Sequence, residues 1–82
     1  MEDVRKAIGA YLKQRRGAAC LSQEAVRDST GIGQPRLSRL ETGHALPLAR
    51  ELALLEPLLD LDMDWINRKL RGEPEADAQA AS

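Results

Sequence analysis

Phenylalanine is absent from this chain of 82 residues, and tyrosine, tryptophan, cysteine and histidine occur once each. With so few rings, the core has to be assembled from leucine, isoleucine, valine and alanine. Alternating apolar and polar segments and β-branched runs are also missing, which argues against strands and for an all-α fold. A lone cysteine, Cys20, excludes an intramolecular disulfide and a thiolate-only zinc site. It also lacks the histidine and acid that nucleophilic catalysis needs, and is expected to be a small packing residue. No apolar run is long enough for a signal peptide or a membrane span, so the chain is expected to be soluble and cytoplasmic, with no membrane partner. No phosphate-cradling glycine loop is present either. Asp60, Asp62 and Asp64 imitate the start of a calcium loop, yet Trp65 stands where that loop needs glycine and Arg71 where it needs glutamate. No metal, no cofactor and no enzymatic centre are therefore expected.

Net charge is small, at −1, but the charges are unevenly placed. Residues 1–50 hold nine Lys/Arg against five Asp/Glu, an excess of +4, whereas residues 51–82 hold three against eight, an excess of −5. A basic half can meet nucleic acid although the global sum argues weakly against it.

Helical periodicity divides the chain into five segments. Val4, Ile8, Tyr11 and Leu12 form one apolar stripe of a helix from about Glu2 to Gly17. Ser22 is an N-cap residue for a second helix whose inner side is marked by Val26 and Thr30, and Gly31 stops it in the left-handed conformation. Ile32 fills the corner. A third helix starts at Gln34-Pro35, proline being tolerated in a first turn, and ends at Gly43. Pro47 opens a fourth, with Leu48, Leu52, Leu55 and Leu59 at helical spacing. Pro57 should kink it or stop it near Leu55. Asp62 caps a fifth, carrying Trp65, Ile66 and Leu70, which Gly72 ends. Residues 1–72 read as one domain. Residues 73–82 have no large apolar side chain and read as a disordered tail.

Residues 22–43 carry the functional signal. A helix, a glycine-centred turn and a second helix is the unit that lays its second helix in the DNA major groove. That helix keeps Leu37 and Leu40 inward and turns Gln34, Arg36, Ser38 and Arg39 outward, side chains that reach base edges and phosphates. Lys13 and Arg15 add to the positive field. Leu46, Leu54, Leu58, Met63 and Leu70 do not all fit one inward stripe, and Leu54, Leu58, Met63 and Leu70 form a candidate dimer interface.

Residues Ile8 to Gly72 resemble the Cro- and repressor-type (XRE) helix-turn-helix domains of phages and bacterial regulators. The resemblance rests on LSQE at 21–24, TGI at 30–32, LSRLETG at 37–43 and LDMDWI at 61–66. It implies a compact five-helix, lambda-repressor-like domain whose helix-turn-helix is formed by helices two and three, with a recognition helix over 33–42. It further implies that Gln34, Pro35 and Arg39 read bases, with Arg36 beside them reading bases or holding backbone. Gln23 would contact a phosphate and brace the start of the recognition helix. Thr42, Gly43 and His44 would approach the phosphate backbone, and Arg16 and Glu41 would form a mostly buried ion pair.

Three positions depart from the family pattern. Arg27 stands where alanine is usual and must snorkel outward unless the helix pair opens. Cys20 stands where glycine is frequent, so the first loop should take another path. Gly33 replaces the usual Ser/Thr cap. The expected function is that of a sequence-specific transcriptional regulator, a repressor, which binds double-stranded operator DNA with inverted-repeat symmetry as a homodimer. The alternative is a DNA-binding antitoxin or controller protein that autoregulates its operon and binds a toxin or other protein through its acidic C-terminal half.

Overall fold

Each helix begins and ends on a recognisable local device. The computed structural model describes residues 3–72, and among them it contains five helices and no strand. They are α1 (Val4–Ala18), α2 (Gln23–Thr30), α3 (Gln34–Glu41), α4 (Ala49–Leu59) and α5 (Met63–Leu70). The fold is all-α, as the composition and periodicity imply. Asp3, Ser22 and Asp62 cap α1, α2 and α5 by accepting hydrogen bonds from first-turn amides. Helix α1 therefore starts at Val4, inside the expected boundary, and runs one residue past Gly17. The expected tail, residues 73–82, lies outside the described residues.

Helices α1 and α3 end alike. In α3 the Gly43 amide reaches the Leu40 carbonyl and the His44 amide that of Arg39, with Gly43 at φ 81°. In α1 the Cys20 amide reaches Gly17 and the Leu21 amide reaches Arg16, with Cys20 at φ 59°. This is the two-bond left-handed termination that glycine favours. The path of the first loop is thus the one a glycine would take, with a cysteine forced into it. Cys20 is also exposed, which corrects its reading as a packing residue.

Pro57 neither stops α4 nor shortens it. The helix continues to Leu59 and closes on Asp60 in the left-handed region. Pro57 and Ala53 both lie on the exposed side, where the carbonyl that the proline leaves without its helical donor is open to solvent and need not go unsatisfied. Leu48 sits just before the helix as its N-cap and is 55% exposed, so it does not belong to the inward stripe.

The core gathers Ile8 and Leu12 of α1, Val26 of α2, Ile32 of the turn, Leu37 and Leu40 of α3, and apolar residues from α4 to α5. Its tightest point is Gly9. A Cβ there would run into the Leu40 carbonyl oxygen and lie 2.9 Å from that of Glu41, so α1 crosses the end of α3 backbone to backbone. Gly43 repeats the device, its missing Cβ being replaced by Lys6 of α1. At the other side of α1, Tyr11 packs on Trp65 with ring centroids 4.7 Å apart and the planes tilted by 46°, and its hydroxyl accepts a hydrogen bond of 2.8 Å from the Asp62 amide. That contact docks α5.

Two substitutions follow from these backbone features. Gly9→Ala has no room and should lower the unfolding free energy in a urea titration by about 3 kcal/mol. Cys20→Gly relieves a left-handed non-glycine residue and should raise it by about 1 kcal/mol; an unchanged or lowered midpoint would contradict the strain.

Candidate nucleic-acid interface

The turn between α2 and α3 is fastened by Thr30. Its hydroxyl donates to the Val26 carbonyl at 2.7 Å and accepts from the Ile32 amide at 3.1 Å, while Gly31 turns the chain at φ 79°. Ile32 thereby drops into the core, and α3 leaves the corner at a fixed angle to α2. Pro35 occupies the first turn of α3, and Gly33 precedes it without a side-chain cap.

Successive residues of a helix are turned by roughly 100°, which sorts the sides of α3. Leu37, Leu40 and Glu41 are buried and define the inner side. Pro35, Ser38, Arg39 and Thr42 then form the outer arc, with Gln34 and Arg36 on its two flanks. Gln34 and Arg39 are exposed, and Arg39 has no ion pair or hydrogen-bond partner among the described residues.

The inner side is tied down at its C-terminal end by charge. Arg16 Nε donates to Glu41 Oε2 at 2.6 Å and Nη2 to Oε1 at 3.0 Å, while Nη1 reaches the Leu21 carbonyl at 2.9 Å. The Glu41 side chain is only 3% exposed, and this bidentate pair raises the Arg16 pKa above its usual value. Gln23 adds a third bond to the same carboxylate, donating to Oε1 at 3.2 Å. Gln23 therefore braces the last residue of α3, not its start as the resemblance implies.

Arg36 is held by a second ion pair. Its Nε donates to Glu51 Oε2 at 2.8 Å, and its Nη2 donates to Glu51 Oε1 at 2.9 Å and to the Leu46 carbonyl at 3.1 Å. Glu51 also accepts from the Leu48 amide at 2.8 Å, so one buried carboxylate both starts α4 and holds α3. The hydrogen bonds from Arg36 keep the Glu51 carboxyl below its usual pKa against the opposing effect of burial. This pairing directs the Nε–Nη2 edge of Arg36 towards α4.

The remaining expected contacts divide. Arg15 Nε donates to the Leu59 carbonyl at 3.0 Å and its guanidinium lies 3.8 Å from Asp60, so it closes α4. By helical periodicity Lys13 and Lys6 lie on the flank of α1 that carries Gly9 and Arg16, towards α3, whereas Arg15 lies on the flank of Tyr11. Lys13 and Lys6 are exposed, with side chains unpaired among the described residues. Gly43 is buried against Lys6, and Thr42 and His44 on either side of it are exposed. The Thr42 hydroxyl lies 2.8 Å from the Ser38 carbonyl and 2.7 Å from His44 Nδ1, giving that loop internal order. Arg27 snorkels outward to Asp28, at 3.0 Å, and towards Glu24. The helix pair stays closed over it.

The matching family model is that of a helix-turn-helix domain, and it covers residues 7–64. The chain belongs to this helix-turn-helix family. No match is found among curated proteins. Membership supports DNA binding, and α2 and α3 are the two helices of the motif. Sequence reasoning missed three residues that shape this helix-turn-helix domain. Glu51 was recoverable as the acid three residues after the α4 N-cap, half of a capping box. Gly9 was recoverable as an isolated glycine inside a helical pattern. Lys6 had no signal, because only the crossing of α1 over α3 brings it to the 42–44 loop.

The apolar residues expected to form one interface separate as well. Met63 and Leu70 of α5 line a groove of about 300 Å³ with Ala49, Leu52, Ala53 and Glu56 of α4. Leu54 and Leu58 lie roughly 150° and more around α4 from that groove. Leu58 and Met63 are half-buried and pack on the core, while Leu54 and Leu70 are 37% and 40% exposed.

Glu51 sets a pH dependence. Its folded pKa is lowered, so its contribution to stability is complete above the usual carboxylate range and is lost as pH falls through the lowered value. Glu51→Gln should be less stable than the parent at pH 7. The gap should narrow as both are titrated below about pH 4. A gap that widens in acid would contradict the pairing.

Proposed function

We propose that this chain is a sequence-specific DNA-binding transcriptional regulator of the Cro/repressor (XRE) type, a cytoplasmic repressor that works as a homodimer on an inverted repeat, with residues 1–72 as its DNA-binding domain. The observation that carries this reading is the division of α3. Its inner residues are fixed by core packing and by the Arg16–Glu41 pair, while Gln34 and Arg39 stand exposed, Arg39 without a partner among the described residues. A rigid helix offering a free guanidinium and a free amide matches what the major groove accepts. Arginine pairs with guanine O6 and N7, and glutamine pairs with adenine N6 and N7. Pro35 offers an apolar surface suited to a thymine methyl, and Ser38 reaches either base edges or phosphate.

Lys13, Lys6 and the Thr42–His44 loop supply contacts to the phosphate backbone, where charge adds affinity without sequence information. Paired half-sites about 34 Å apart suit a two-fold dimer. The α4–α5 groove with Met63 and Leu70 supports that side as the dimer contact better than Leu54 and Leu58 do, because it is concave and apolar. No helix among the described residues is long and apolar enough to cross a membrane. The role proposed is binding, with no catalytic residue assigned.

A second reading is favoured by one observation, the excess of −5 over residues 51–82. It makes the chain a DNA-binding antitoxin or controller that autoregulates its operon and pairs its acidic half with a basic protein. Co-purification of such a partner encoded beside this chain supports it.

Selection of bound duplexes from a random pool tests the leading reading, with enrichment of a two-fold symmetric motif as the expected result. Arg39→Ala should abolish the preference at one base pair per half-site, a loss of roughly 1–3 kcal/mol of discrimination. Lys13→Ala should weaken all sequences alike and flatten the salt dependence by about one unit of slope. A motif untouched by Arg39→Ala would remove the assignment of that residue.

A further inference from the structure

Arginine reads guanine with a fork of two adjacent N–H groups, either the Nε–Nη2 edge or the Nη1–Nη2 end. In Arg36 both forks are spent. Nε and Nη2 donate to Glu51, and Nη2 also donates to the Leu46 carbonyl, so that only Nη1 keeps its hydrogens. The acceptor cannot drift away with the arginine. Glu51 is buried, with 4% of its side chain exposed, and its Oε1 is held by the Leu48 amide at the start of α4. Arg36 itself remains one-third exposed on the flank of the outer arc of α3, one helical turn before Leu40 and beside Pro35.

We infer that Glu51 is a positioning residue that sets DNA specificity by withholding Arg36 from the bases. This rests on α3 being the reading helix. While the pair is intact, Arg36 makes at most a sequence-blind contact from Nη1 to a phosphate oxygen, and the half-site is read by Gln34, Pro35, Ser38 and Arg39. Replacing the carboxylate with an amide leaves one oxygen, which the Leu48 amide and Arg36 Nη2 already share, and puts an NH2 group that cannot accept where Oε2 met Nε. A neutral acceptor also holds a guanidinium less strongly than a carboxylate does. The fork is then released next to the groove floor and gains a guanine to bind.

The test is the same selection from a random duplex pool, run with the parent, Glu51→Gln, Glu51→Gln with Arg36→Gln, and the double exchange Arg36→Met with Glu51→Met. The last removes the pair without leaving a buried charge and is expected to fold. Circular dichroism confirms helicity for each. Glu51→Gln should enrich guanine about fivefold or more at one position per half-site that the parent leaves unselected. The gain should vanish when Arg36 is also changed, and the Met–Met form should return the parental motif. Two results overturn the inference: a folded Glu51→Gln with the parental motif, or a Met–Met form that loses a base the parent selects. A parent that enriches no motif overturns the reading of α3 itself, and this inference with it.

Discussion

Everything the outer arc of α3 can do depends on the backbone contact between α1 and the C-terminal end of that helix. Gly9 and Gly43 bring the two chains closer than any side chain would allow, and no rearrangement of rotamers can substitute for the missing Cβ atoms. The short distance has an electrostatic use. It places Arg16 where its fork meets the Glu41 carboxylate at a depth that excludes most water, and a charge pair there is worth keeping only if both partners are held in place. The Leu21 carbonyl and Gln23 complete the carboxylate and guanidinium bonding, so that the starts of both α2 and its loop are anchored at the same point.

A second anchor works from the opposite side. Arg36 ties the first half of α3 to Glu51, and Glu51 in turn is part of how α4 begins. An eight-residue helix is too short to persist on its own. Here it is pinned near both ends to two other helices, through two carboxylates buried in different parts of the molecule. The two arginines on the polar sides of α3 consequently have unlike duties although their sequence neighbourhoods look alike: Arg36 is consumed by the fold, and Arg39 is left over.

Much of this was legible in the chain. The five helices, their caps at Ser22 and Asp62, the Gly31 turn and the Arg16–Glu41 partners could be read because each rests on spacing, on a capping residue or on the family pattern. What was illegible had a common cause. Whether an arginine at position 36 faces water or a carboxylate is decided by Glu51, fifteen residues away on another helix, and periodicity carries no information about that approach. The same holds for Arg15, which is drawn to the end of α4. Pro57 misled for a different reason: it lies on the exposed side of α4, where the carbonyl that loses its helical donor is not enclosed by the core. Cys20 misled because composition treats cysteine as a small apolar residue, whereas its position after α1 demanded a backbone conformation and left the side chain outside.

The pairing of Tyr11 with Trp65 has a consequence for how the molecule can be watched. These are the only two aromatic side chains in the sequence, and they sit in contact across the seam between α1 and α5, with the Lys69 ammonium 5.4 Å from the indole centroid. Excitation absorbed by the phenol passes to the indole while the seam is closed, and tyrosine emission returns when it opens. The chain therefore carries an internal optical gauge of α5 docking that needs no label and has a single donor and a single acceptor, so its signal reports one seam and not an average over many.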